Sequence, residues 1–166
     1  MTKTVVIGLG NPVISDDALG PEVVRRLRKR LQQSSDFDMV EIHNGGFELM
    51  EAMAGYDRAI VIDAIVTGNP PGTIHRLQGA DIGVSRNTAT THNGSLAVAL
   101  DLGKLAGLHL PSDVRVWAVE AGDVENFYEG LTPEVESAVS LLIDNLLIEL
   151  QPRTAQQQLD QRRRVA

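Results

Sequence analysis

Short apolar runs, each stopped by glycine, proline or a polar cluster, alternate along this chain with segments of helical spacing. Thr4 to Leu9 (TVVIGL) is β-branched and ends at Gly10-Asn11-Pro12, the pattern of a buried strand. From Ala18 to Leu31, the residues Leu19, Val23, Leu27 and Leu31 fall four apart with Arg and Lys opposite, which predicts an amphipathic helix. Pro21 is compatible with that helix only in its first turn. Met39 to Ile42 predicts a second strand, followed by His43-Asn44-Gly45-Gly46 and a short helix over Phe47 to Ala54. Arg58 to Val66 (RAIVIDAIV) is the most strand-like segment, apolar after its first residue except at Asp63. Gly72 to Leu77 predicts another strand. A polar loop, Ser85 to Asn93, leads to a helix over Ser95 to Leu105. Val114 to Val119 alternates as a strand. Thr132-Pro133-Glu134 supplies an N-cap, a first-turn proline and a first-turn acid for a last helix ending near Leu150, with Val135, Val139, Leu142 and Leu146 on one face. The order βαβαβ(β)αβα predicts an α/β protein: a three-layer αβα sandwich around a mostly parallel twisted sheet.

Composition narrows the class. The 166 residues are 43% hydrophobic and 22% charged, enough apolar material for one domain over residues 1–150. The Gln- and Arg-rich stretch 151–166 has no apolar period, so a mobile tail is expected. No apolar run approaches the roughly 18 residues of a membrane span, and the start of the chain lacks a signal-peptide core. A cytoplasmic location is expected. Cysteine is absent, which removes disulfides, Cys-ligated metals and a thiol nucleophile. The net charge is −7, but the tail holds Arg153, Arg162, Arg163 and Arg164 against Asp160. The remainder therefore carries 11 basic and 21 acidic residues, a poor partner for nucleic acid.

In open α/β sheets ligands bind beyond the carboxyl ends of the strands, which selects three places. Gly8-Leu9-Gly10-Asn11-Pro12 with Asp16-Asp17 follows the first strand. Asp63 interrupts an apolar strand, and Thr90-Thr91-His92-Asn93-Gly94 precedes a helix. The glycine pair is not a dinucleotide fingerprint, because Val13 stands where a third glycine belongs and Pro12 lacks an N–H. It reads as a tight turn or as a substrate-positioning loop. A carboxylate buried like Asp63 requires a partner, so it is a helix N-cap or structural hydrogen bond at the strand end, a metal ligand or an acid/base. Asp16 and Asp17 each suit a helix N-terminus. One of them, Asp63 and a loop histidine also make a donor set suited to a borderline divalent cation with positions open for substrate. His43 and His92 fall at strand-end or loop positions, whereas His75 and His109 read as surface or packing residues. H-E-x-x-H, G-x-S-x-G and the P-loop are all absent, which favours activated water over a covalent intermediate.

Taken in order, Gly8-Leu9-Gly10-Asn11, Asp16-Asp17-Ala18-Leu19-Gly20, Asn44-Gly45-Gly46, Asp63-Ala64, His92 before a helix, and Leu131-Thr132-Pro133-Glu134-Val135 resemble the hydrogenase maturation endopeptidases over about residues 3–148. The resemblance implies a phosphorylase/hydrolase-like sandwich and a nickel-dependent endopeptidase. Such an enzyme trims the C-terminal extension of a nickel–iron hydrogenase large-subunit precursor after nickel insertion. It also implies that Asp17, Asp63 and His92 are both the metal-contacting and the catalytic residues, with nickel supplied by the substrate or bound as cofactor. Asn11 and the amides of the glycine turns would position the peptide or stabilise an oxyanion. Two residues depart from the family pattern: many members carry Glu at the place of Asp17, and Asn93 follows His92. Peptidyl-tRNA hydrolase shares G-L-G-N-P over about seven residues but lacks support here, since the histidine expected shortly after is missing. A non-catalytic nickel-sensing assembly chaperone is the other alternative.

Overall fold

The computed structural model describes residues 2–31, 37–78 and 91–151, with only the backbone of 91–95. The Ser85–Asn93 loop lies mostly outside the described residues, as does the tail beyond Gln151. Five strands form one sheet: β1 (Thr4–Leu9), β2 (Phe37–Ile42), β3 (Arg58–Ile65), β4 (Ile74–Gln78) and β5 (Asp113–Glu120), in the order β2-β1-β3-β5-β4. All pairings are parallel except β4 with β5. Among the described residues the α-helices are α1 (Leu19–Leu31), α2 (Phe47–Met53), α3 (Thr91–Leu105) and α4 (Pro133–Leu150).

The burial pattern explains which strands are central. β1, β3 and β5 are covered on both faces and therefore read as nearly continuous apolar runs. Val5, Ile7, Val61, Ile65 and Val116 face α2 and α3, joining Leu49, Met53, Leu96 and Ala99. Val6, Ile60, Ile62 and Val119 face the other way, joining Val23 and Leu27 of α1 and Val139, Leu142 and Leu146 of α4. The three-layer sandwich expected from the element order is what forms.

Several boundaries differ from the sequence reading. β2 begins two residues earlier than Met39, because Phe37 pairs with Thr4 and packs against the α1–α4 core. β4 begins at Ile74 rather than Gly72, whose positive φ of 85° and amide bond to the Glu120 carbonyl place it in the preceding turn. Helix α3 begins at Thr91, not Ser95. Its first turn is polar, and a helix's opening amides need no apolar stripe, so periodicity missed it.

At the amino edge a polar network fixes α4 to the sheet. The buried Glu149 carboxylate accepts hydrogen bonds from Trp117 Nε1 (2.7 Å), Arg58 Nη2 (2.8 Å) and Arg115 Nη1. Burial pushes this carboxyl up, but the bonds from Arg115 and Trp117 outweigh it and hold the group below its ordinary value. Arg115 in turn grips Asp113 through two bonds of 2.9 Å.

At the carboxyl edge, close packing of backbones sets the geometry. A Cβ on Gly20 would overlap the carbonyl oxygens of Leu9 and Ile62, and one on Gly8 would overlap the Gly20 carbonyl. The first turn of α1 therefore rests directly on the ends of β1 and β3. Alanine normally stabilises a helix by about 1 kcal/mol over glycine. For Gly20→Ala the opposite sign is expected, a loss of about 3 kcal/mol in urea unfolding, since the obstructing atoms are backbone. A neutral or stabilising result would show that this approach is slack.

Candidate active site

The turn after β1 is built to hold two aspartates. Gly10 sits at φ 138° with its amide on the Ile42 carbonyl (3.0 Å), and a side chain there would strike the Asp17 backbone. The Asn11 amide donates to Asp17 Oδ2 (2.8 Å), and Asn11 Oδ1 accepts the Val13 amide (3.1 Å). The Gly10 amide is thus engaged by β2 and the Asn11 amide by Asp17. The suggested oxyanion role for them is corrected accordingly: they shape the loop. A single 3₁₀ turn, Ser15–Ala18, then carries Asp16 and Asp17, both buried. It opens at Ser15 with φ 34°, a backbone that L residues seldom adopt, held by the Ser15 amide on the Tyr128 carbonyl (2.9 Å).

Asp16 and Asp17 have separate tasks. Asp16 is fully buried and its carboxylate accepts four hydrogen bonds from across the chain. Oδ2 takes the Gly122 amide (2.8 Å), the Asp123 amide (3.0 Å) and the Thr132 hydroxyl (2.9 Å), and Oδ1 takes the Thr132 amide (2.7 Å). It does not cap a helix. Thr132 does occupy the N-cap position of α4, but its hydroxyl donates to Asp16 instead of capping. Asp16 is a clamp between the turn and the β5–α4 connection, whereas Asp17 accepts the Asn11 amide within the turn.

Asp63 lies in β3, 1% exposed, and its Oδ1 accepts the Ala64 amide (2.9 Å). No helix starts there, so the N-cap reading does not apply. Strand alternation puts Asp63 on the face of Val61 and Ile65, the side covered by α2 and α3. His92 is in the first turn of α3 rather than in a loop, a correction to the sequence reading; its side chain is outside the described residues. Only seven residues separate Leu105 from Asp113 at the amino edge, and a 15-residue helix is about 22 Å long. The backbone of His92 is thereby carried back to the carboxyl edge, where Asp63 and the Asp17 turn are found. Among the described residues no three His, Asp or Glu side chains are grouped as a metal site. His109 sits at the opposite edge, its Nε2 3.2 Å from Asp57, and His43 is exposed beyond edge strand β2.

Sequence reasoning passed over Glu120. It ends β5, is 1% exposed, and accepts the Thr67 hydroxyl (2.7 Å) and the amides of Thr67 and Gly68. It fixes the 66–73 loop that follows the Asp63 strand. His75 Nε2 stands 3.4 Å from its Oε2. Burial pushes the Glu120 carboxyl up, yet the bonds from Thr67 and Gly68, aided by His75, hold it below its ordinary value. The only hint in the sequence was an acid closing an otherwise apolar strand.

An α/β sandwich with Asp17 and Asp63 buried at the carboxyl edge of its sheet places acids where ligands bind in open α/β folds. The comparisons make this specific. The chain belongs to the hydrogenase maturation protease (HycI) family, matched over residues 21–149, and is therefore a maturation endopeptidase. It is 29% identical over 150 residues to the hydrogenase 2 maturation protease of Escherichia coli, covering 89% of this chain and 90% of that one. Among solved structures it is similar to the hydrogenase maturating endopeptidase HybD from Escherichia coli, with a TM-score of 0.78 and 28% identity over 90% of this chain and 92% of that one. The hydrogenase 2 maturation peptidase from a Thaumarchaeota archaeon gives 0.65 and 26% over 90% and 98%. The likeness to peptidyl-tRNA hydrolase is confined to one loop and falls away. No described helix is long and apolar enough to cross a membrane.

Two measurements test the site's framework. Asp16→Asn turns an amide NH₂ toward donor groups and is expected to lose about 2–4 kcal/mol of stability, read by urea unfolding. Glu120 adds stability that is complete above the unfolded carboxyl value near pH 4.3 and is lost as pH falls through its lower folded value. Glu120→Gln should therefore flatten the acid side of the stability–pH curve; an unchanged slope would contradict the assignment.

Proposed function

We propose that this protein removes the C-terminal extension from the large-subunit precursor of a nickel–iron hydrogenase after nickel insertion, and that Asp17, Asp63 and His92 meet the metal carried by that precursor. The observation that carries the reading is the buried Asp63 carboxylate at the carboxyl edge of a hydrogenase maturation protease, beside the Asp17 turn. The donor set fits the metal in kind, since two carboxylates and one imidazole suit a borderline divalent ion and leave positions for substrate. Nickel held there would serve as a recognition mark and a Lewis acid.

The chain's own groups account for the remaining chemistry. The Asn11 amide and the Ala64 amide hold the two carboxylates in fixed rotamers, so neither must reorganise when the peptide arrives. Water adds to the scissile carbonyl while a carboxylate takes its proton, and the same proton passes to the departing amine. Peptide bond cleavage then balances with one water consumed, one new carboxyl end and one new amino end.

The test is incubation with nickel-loaded and nickel-free precursor, followed by mass measurement of the products. Loss of the extension from the loaded form alone is expected. Asp63→Ala and His92→Ala should each slow cleavage by at least about a hundredfold while far-UV circular dichroism stays native. Normal cleavage by either variant would break the three-residue assignment. Binding of precursor without any mass change would make the protein an assembly chaperone instead.

A further inference from the structure

We propose that the segment 123–131, together with Val13, is the lip on which the precursor docks, and that it receives a basic segment of that protein carrying an apolar anchor. This rests on the function proposed above and specifies how its substrate is recognised.

The lip is attached to the site itself. Asp16 holds its two ends, through the Gly122 and Asp123 amides on one side and Thr132 on the other. In its middle the Tyr128 amide donates to the Val13 carbonyl (3.2 Å), and the Tyr128 carbonyl accepts the Ser15 amide two residues before Asp17. Asp123 braces the near part by accepting from the Glu125 amide (3.0 Å) and from Asn126. The backbone is thus fixed while its apolar side chains project outward. Phe127 is 83% exposed, Tyr128 61% and Val13 41%. One exposed apolar residue is ordinary, but two adjacent aromatics on a braced loop are the composition of a binding anchor.

Charge selects the occupant. Residues 116–150 contain no Lys or Arg, and the aromatics are flanked by exposed Glu125 and Glu129, neither in an ion pair among the described residues. Beside the lip lies a groove of about 420 Å³ between Pro12, Glu129 and Leu131 on one side and Glu22, Arg25 and Arg26 on the other. Its arginines are already matched, Arg25 to Glu41 and Arg26 to Glu22 and Glu136. The net field over the lip is negative, which attracts a basic segment and steers its approach, while the aromatics and groove take an apolar side chain.

The experiment measures binding separately from cleavage, using calorimetry with purified full-length precursor alongside product mass. The Phe127→Ser/Tyr128→Ser double variant should bind precursor at least about tenfold more weakly. Glu125→Lys/Glu129→Lys should bind more weakly and lose the salt sensitivity shown by the natural protein. Leu105→Ser, an exposed residue at the far end of α3, should bind normally. Unchanged binding by the lip variants overturns the proposal, as does an equal loss in Leu105→Ser. A self-associating natural protein that becomes monomeric in the aromatic double variant also overturns it, since the lip would then be an interface between two copies. Precursor that binds through the lip but is never cut refutes the cleavage reading and leaves the docking surface standing.

Discussion

The structure depends on one steric requirement: the first turn of α1 must touch the ends of β1 and β3 backbone to backbone. Gly8 and Gly20 provide that contact, and Gly10 provides the matching space for Asp17. With side chains at these positions, α1 would be lifted off the sheet and the turn bearing both aspartates would rise with it. The glycines that superficially suggest a phosphate loop therefore serve packing. The Gly10 amide, for one, is engaged by the Ile42 carbonyl of β2.

The sheet separates two kinds of polar burial. At the amino edge, the Glu149 carboxylate gathers bonds from Arg58, Arg115 and Trp117, an arrangement that pins α4 to the sheet. Pairing of this quality is what keeps buried charge from being destabilising. At the carboxyl edge, the polar groups divide by the reach of their partners. Asp16 and Glu120 are clamps, each drawing three or more donors from a distant segment. Asp17 and Asp63 each take a neighbouring backbone amide and stand along the rim.

Most of the fold was legible because burial on both faces writes itself as continuous apolar runs. β1, β3 and β5 were located to within a residue or so at each end for that reason. Edge strands were less clear: β2 gained Phe37 and Asp38 only because β1 extends a partner to them. The start of α3 was illegible, since Thr91 to Gly94 has helical backbone without apolar spacing. Asp63 announced itself as a lone acid in an apolar strand. Asp16 and Asp17, adjacent and identical, were not separable by local pattern, and only the family resemblance singled out Asp17. Their difference lies in partners more than a hundred residues away, at Gly122 and Thr132, which no local pattern encodes.

That long reach of Asp16 has a consequence for how the molecule comes into being. Contacts between residues so far apart in the chain close large loops and form late, after the local elements have settled. A chain still lacking β5 and α4 lacks the Gly122, Asp123 and Thr132 partners of Asp16, so the turn after β1 is without that clamp. The Asp16 clamp is thus completed only by the last third of the polypeptide, once β5 and the start of α4 are in place.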